Sequence, residues 1–360
     1  MPTSNPLPST HDAATAPRTL PILDISKLSG SPEERAAFLE ELGTTAREIG
    51  FFYLTGHGIP DELIREIVAV SRRFFELPEA DKLSIEMVNS PHFRGYTRVG
   101  LEITRGQADW REQIDFSSER PAIPVAPGTP DWARLQGPNQ WPDALPALKP
   151  TVLEWQRQLA DLGIRVLEAF ALALQQDKDV FSPIYEKAPI QHLKLIRYPG
   201  RDATGSDQGV GAHKDGGFLT LLLQDVQGGL QVEADDGSWI DAPPIPGTFI
   251  VNIGEVLEMA SNGYLRATVH RVVTPPAGKD RLSVAFFFGA ALDATIPLLD
   301  LAPELAAQAL GPTADPQNPL FREIGQNYLK GRLRSHPDVA ERHYADLLDP
   351  TAKREPASAY

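Results

Sequence analysis

The chain has 360 residues, 42% of them hydrophobic and 23% charged, which is the make-up of a globular protein with a substantial core. Its 34 Lys and Arg stand against 48 Asp and Glu, a formal charge of −14, and no basic stretch is interleaved with aromatics, which argues against nucleic acid and anionic membrane surfaces as partners. Without a single cysteine there is no disulfide, thiolate metal site or cysteine nucleophile. Any metal must be held by His, carboxylates and water, and the composition fits a reducing cytoplasm.

The first 18 residues, "MPTSNPLPSTHDAATAPR", are rich in Pro, Ser, Thr and Ala and have no apolar run, so they read as a disordered tail rather than an export signal. "LPILDISKL" reads as a short strand. "SPEERAAFLEELGTTAREIG" is predicted helical, with Ser31 as N-cap and a closing glycine. "FFYLTGHGIP" reads as a second strand ending in a turn, and a second helix is expected from about Asp61 to Glu76. An irregular region rich in Arg, Tyr and Gly completes an N-terminal unit over 19–120.

Residues 121–150 are dense in proline and read as a long connection over the surface. The clearest helical spacing follows in 151–188, within "TVLEWQRQLADLGIRVLEAFALALQ". From 189 to 295 the texture changes to short β-type runs: "HLKLIRYPG", "FLTLLLQD", "GLQVEA", "SWIDAPP", "TFIVNIG", "ATVHRVVTPP" and "RLSVAFFFG". Such a series, separated by turn signals, suggests a sandwich or jelly-roll barrel. Residues 296–360 return to helix.

Asp and Glu are 48 of 360 residues, so eight histidines are expected to give about one His-x-acid match by chance. Two occur, and context separates them. His336-Pro337-Asp338 lies in a helical region with a proline inside it, and reads as a solvated surface turn. His213-Lys214-Asp215 leads into a β-type run, where residues two apart share a face. His213 and Asp215 are expected to point one way and Lys214 the other, free to reach solvent. His270, in "ATVHRVV", supplies a third ligand from another strand. Two His and one carboxylate on one side form the facial triad of non-haem Fe(II) oxygenases.

Eleven residues further on, alternation in "RLSVAFFFG" places Arg281, Ser283, Ala285 and Phe287 on one face. An arginine sharing an inward face with Ala and Phe needs an anion, and a guanidinium fork beside a hydroxyl suits a carboxylate. The alternatives are an internal salt bridge and the distal carboxylate of a diacid chelating the metal.

Together these stretches resemble the iron(II)- and 2-oxoglutarate-dependent dioxygenases of the isopenicillin N synthase-like branch. The likeness runs over almost the whole chain after the tail. It includes "LPILDIS", "GFFYLTGHGIP", "FFELP" and "FRGYT", then "HKDGGFLTLLLQD", "GGLQV", "APPIPGTFIVNIGE", "SNGYLRATVHRVV" and "RLSVAFFF". The resemblance implies an α+β fold: a double-stranded β-helix (jelly-roll) core with flanking N-terminal and C-terminal helices. It implies Fe(II) on His213, Asp215 and His270, 2-oxoglutarate on Arg281 and Ser283, and Tyr198 facing cosubstrate or substrate. O2 is the other cosubstrate. Plant members often carry Asn two residues before that tyrosine, where this chain has Ile196.

The implied activity is oxidative decarboxylation of 2-oxoglutarate coupled to hydroxylation, desaturation or cyclisation of a small organic molecule. Arg94, Tyr96 and Arg98 in "FRGYTRVG", with Phe287, are the candidate substrate contacts. A 2-oxoglutarate-independent oxidase stays open as the alternative, because isopenicillin N synthase also keeps an Arg-x-Ser. A metal-free binding protein or a zinc hydrolase is less consistent with an intact triad and no evident general base.

Overall fold

The computed structural model describes residues 19–187, 189–204, 206–313 and 318–348; the expected tail at 1–18 lies outside the described residues. Near the N-terminus, strand β1 (Ile22–Asp24) leads to helix α1 (Pro32–Glu48). The start of α1 is fixed by a reciprocal capping box, in which the Ser31 hydroxyl accepts from the Glu34 amide and the Glu34 carboxylate accepts from the Ser31 amide. Strand β2 (Phe51–Thr55) and helix α2 (Asp61–Phe75) follow. Next come four short strands, β3 (Gly95–Thr97), β4 (Ile103–Thr104), β5 (Gln107–Ala108) and β6 (Glu112–Phe116).

The long helix runs Leu148–Ala173, three residues earlier than the spacing predicts. Pro150 lies in its first turn, where the missing amide has no partner to lose. Before it, the proline-rich connection has one short turn of helix, Asp131–Leu135, and sends Leu135 and Leu145 into the interior rather than lying wholly on the surface.

The remaining strands are β7 (Ile190–Tyr198), β8 (Gln208–His213), β9 (Leu219–Gln224), β10 (Leu230–Glu233), β11 (Trp239–Asp241), β12 (Phe249–Ile253), β13 (His270–Val273) and β14 (Arg281–Gly289). They form an eight-stranded sheet ordered β1-β2-β12-β9-β14-β7-β6-β3, a four-stranded sheet ordered β11-β10-β13-β8, and the hairpin β4-β5. Strand β8 escapes the hydrophobic pattern because glycines occupy positions that the packing demands. A Cβ on Gly209 would stand 3.0 Å from the Tyr198 ring of the larger sheet, and one on Gly211 would stand 2.9 Å from Thr104 of the hairpin.

Strand β14 shows how the larger sheet is used on both faces. Leu282, Val284, Phe286 and Phe288 join the main core, where the strand packs against α2 and the long helix. Gly163 of that helix lets the Phe288 ring approach to 3.0 Å of where a Cβ would be. The other face of β14 turns toward the small sheet, where Tyr198, Val210, Leu230, Val272 and Ala285 form a second cluster. The space between the two sheets therefore opens onto the polar members of β14. Toward the C-terminus come helices Ile324–Ser335 and Pro337–His343, and the first of them lines one end of this space. No described helix is long and apolar enough to cross a membrane.

Candidate active site

His213 ends β8, Asp215 lies two residues beyond it, and His270 opens β13, directly opposite His213 in the antiparallel pair. One ligand atom from each converges within 4.8 Å of the others. Asp215 Oδ1 lies 3.6 Å from His213 Nε2 and 3.7 Å from His270 Nε2. Both imidazoles are oriented by their far nitrogens: His213 Nδ1 donates to the Gly211 carbonyl at 2.8 Å and His270 Nδ1 to the Thr268 carbonyl at 3.2 Å. That leaves both Nε2 atoms as free acceptors turned inward, the tautomer a metal requires.

The second carboxylate oxygen of Asp215 accepts from Thr220 Oγ1 at 2.5 Å and from Asn252 Nδ2 at 2.8 Å. Burial alone would raise the Asp215 pKa, but the positive charge that His270 and His213 carry when protonated, together with the Asn252 amide, outweighs it and holds the carboxyl well below its usual range. A buried anion with one oxygen engaged and the other facing two imidazole acceptors fits a cation between them. Nitrogen and carboxylate donors in this number match ferrous iron with three positions left open. Thr220 and Asn252 do not stand out in the sequence, since each is an ordinary strand residue until Asp215 is set beside it.

Arg281 is fully buried on β14. Its Nη2 donates to Gln224 Oε1 at 2.8 Å, and its guanidinium stands 4.9 Å from the Tyr198 ring centroid. Its Nε and Nη1, together with the Ser283 hydroxyl, are buried without a hydrogen-bond partner. Burial lowers the arginine pKa, although Tyr198 and Asp225 oppose the shift. A carboxylate would satisfy these donors together. Arg281, Ser283, Tyr198 and Ile196 line the same narrow cavity as the three candidate ligands. Ile196 pairs with Ser283 across the sheet, so where Asn would offer an amide this cavity wall is apolar.

A second chamber opens on the other side of the ligand cluster, bounded by His213, Asp215, Phe287, His192, Tyr328 and Arg332 among others. Its walls carry a buried charge network. Glu102 accepts from Arg111 at 2.6 Å and from Lys194 at 2.7 Å. Asp115 lies 2.8 Å from His192 Nε2 and 3.2 Å from Arg332 Nη1. His192 stacks on Phe287 with centroids 5.0 Å apart, and burial, with help from Arg332, lowers its pKa to about 3, so it is neutral. These residues come from the β4 approach, β6, β7 and the helix Ile324–Ser335, and no local spacing in the sequence links them.

The candidate substrate contacts separate. Phe287 lies in the chamber wall. Arg94 lines a further cavity that shares His192, Tyr328 and Arg332 with the chamber. Tyr96 packs against Phe74 and donates to Glu112 at 2.6 Å, so its hydroxyl is taken up in the structure of β6. Arg98 pairs with Glu86 at 2.8 Å and is nearly half exposed. Two expectations about the His-x-Asp pairs also change. Lys214 does not run free to solvent: it donates to Thr313 at 2.9 Å and lies 3.5 Å from Glu258. His336 is not on a solvated turn, because Pro337 starts a new helix and the imidazole is buried 4.0 Å from Glu102.

Two family models match the chain. Residues 20–144 match the N-terminal region of non-haem dioxygenases in morphine synthesis, and residues 189–290 match the 2OG-Fe(II) oxygenase superfamily. A 2-oxoglutarate-dependent dioxygenase, frbJ, from Dothideomycetidae sp. is 37% identical, with 92% of this chain and 94% of that protein aligned. A homoarginine-6-hydroxylase of Arabidopsis thaliana is 36% identical over 80% of this chain and 90% of its own. Among solved structures, a 2OG-Fe(II) oxygenase family protein from Caulobacter crescentus superposes with TM-score 0.70 at 31% identity, over 86% of this chain and 98% of that one. A full-length Neurospora crassa protein, solved with alpha-KG and thymine, gives TM-score 0.69 at 26% identity, covering 91% and 97%. The chain belongs to the iron(II)- and 2-oxoglutarate-dependent dioxygenases.

Proposed function

We propose that His213, Asp215 and His270 hold the iron, that Arg281 and Ser283 bind the distal carboxylate of 2-oxoglutarate with Tyr198 beside it, and that the substrate approaches from the Phe287 side. The protein is an oxidoreductase that couples decarboxylation of 2-oxoglutarate to oxidation of a small organic molecule, with Fe(II) and O2 required. Bound Fe(II) supplies the redox chemistry that activates oxygen. The protein's share is binding, orientation and exclusion of water.

Arg281 and Ser283 fix one end of the dicarboxylate, which sets its other end against the ligand cluster. Asn252 and Thr220 keep the second oxygen of Asp215 engaged, so one oxygen faces the metal. Leu222, Leu230, Val272 and Ala285 line the cosubstrate cavity and hold water out. Hydroxylation is the expected outcome for a C–H bond presented beside Phe287, with desaturation or ring closure following a different placement. The jelly-roll core, in this reading, carries α1 and α2 as outer support and uses the C-terminal helices as part of the substrate chamber.

The observation that carries the reading is the fully buried Arg281 with two unpartnered nitrogens beside the unpartnered Ser283 hydroxyl, in the cavity that the ligands share. The test is anaerobic addition of Fe(II) and then 2-oxoglutarate. A visible charge-transfer band from the chelate is expected, and it should need far more 2-oxoglutarate in Arg281→Ala. A wild-type protein that gives no band refutes the assignment.

A further inference from the structure

Beyond the charge network lies a cavity of about 200 Å³ that shares His192, Tyr328 and Arg332 with the substrate chamber. Its walls are apolar at Ile123, Trp132, Ile190 and Leu292, yet two arginines that engage no carboxylate also line it. Arg94 is 7% exposed; its terminal nitrogens donate only to the carbonyls of His92, Phe93 and Leu135, and its Nε is buried with no partner. Burial lowers its pKa to about 9, which still leaves it charged at pH 7. The nearest acids are engaged elsewhere, Asp115 with Arg332 and His192, and Glu119 with Asn139.

Arg120, half-buried across the same cavity, reaches only the Pro189 carbonyl at 3.5 Å. The Tyr328 hydroxyl, where the two chambers meet, is buried without a partner as well. The one acid in the wall, Asp293, is exposed. A buried guanidinium without a counter-charge, as at Arg94, is unfavourable unless an anion arrives to pair with it.

We propose that the primary substrate is an organic carboxylate with an apolar body, whose anionic group is held by Arg94 and Arg120 while its apolar part extends past His192 and Phe287 to the metal. The proposal rests on the assignment of the metal and cosubstrate ends. The chelate band, read in the same sample, reports on that assignment independently of the distal cavity.

The probes are 3-phenylpropionate, 4-phenylbutyrate and 6-phenylhexanoate, each with its primary amide, plus 4-phenylbutylamine. They are titrated by calorimetry into anaerobic enzyme loaded with Fe(II) and saturating 2-oxoglutarate. At least one acid should bind about tenfold or more tightly than its amide, the amine should bind more weakly than either, and the band should persist. Arg120→Gln and Arg94→Gln should each shrink the acid-over-amide ratio while leaving amide affinity nearly unchanged, and Arg120→Lys should retain much of it. If Arg94→Gln gives no chelate band, it has not folded and Arg120→Gln alone decides. The proposal is overturned if no acid outbinds its amide, if the amine binds best, or if the ratio is unchanged in every folded glutamine variant.

Discussion

The two ends of the cavity are built on opposite electrostatic plans. At the proposed metal end, the three candidate ligands and one arginine aim atoms at a common space, and the groups behind them fix orientation. At the substrate end, Glu102, Lys194, Arg111, Asp115 and Arg332 largely neutralise one another, and an excess of positive charge appears only farther out, at Arg94 and Arg120. The first plan holds a fixed chemistry. The second lines the way from the metal to the distal cavity with polar groups that hold one another in place.

The largest contrast is expected from His270→Ala. Loss of an outer partner of a metal ligand typically weakens metal binding 10- to 100-fold, so losing a ligand itself should reduce Fe(II) affinity by more than about 100-fold and abolish succinate formation. A variant that still titrates stoichiometrically with Fe(II) would remove His270 from the site. Asn252→Ala should weaken Fe(II) binding by about 10- to 100-fold without loss of fold, because one oxygen of Asp215 loses a donor.

Arg281→Ala should raise the KM for 2-oxoglutarate by about tenfold or more, and Fe(II) affinity without cosubstrate should stay put. If iron affinity falls in parallel, the arginine supports the metal end structurally. Arg332→Gln should do the reverse, leaving the chelate band intact while uncoupling cosubstrate consumption from product. A lost band in that variant would break the division into two ends.

The smallest effect is on stability. His336 and His192 are buried, and burial, helped by Arg332 and Lys194 and opposed by Asp115 and, at His336, by Glu102, lowers their pKa values to about 4 and about 3. The unfolded chain therefore binds more protons than the native one below about pH 6.5. Their contribution is complete above that pH and is lost as the pH falls, by about 1 kcal/mol per histidine at pH 5.5. His336→Gln should narrow the difference in Tm between pH 7.5 and pH 5.5, measured by calorimetry on the metal-free protein. An unchanged difference would mean that His336 is already protonated in the native state.

The metal end is legible because strand geometry writes it into short spacings: His213 to Asp215, and Arg281 to Ser283, each two residues apart. Even His270 stands out once a partner is needed. The substrate end is assembled from residues up to about 240 positions apart, Arg94 to Arg332, and charged residues at such separations carry no mark of their meeting. His336 misleads for a related reason. A proline inside a motif signals a break, but here the break is the first turn of a helix that folds the imidazole inward. The glycines of β8 hide a strand because close approach between sheets, rather than β propensity, selects them.

Strand β14 is paired along its length to β7, residue for residue from Arg281 to Gly289, and over six positions to β9. It therefore serves as a ruler. Arg281 and Phe287 are six residues apart, roughly 20 Å along the strand, so the proposed anchor of the cosubstrate and the proposed edge of the substrate chamber are held at a set separation. A slip of one residue would turn Leu282, Val284 and Phe286 into the cavity and bury Arg281 and Ser283 against the long helix. Such an error would leave no partly active enzyme, because a single displacement would remove the anchor, the hydroxyl and the chamber wall together.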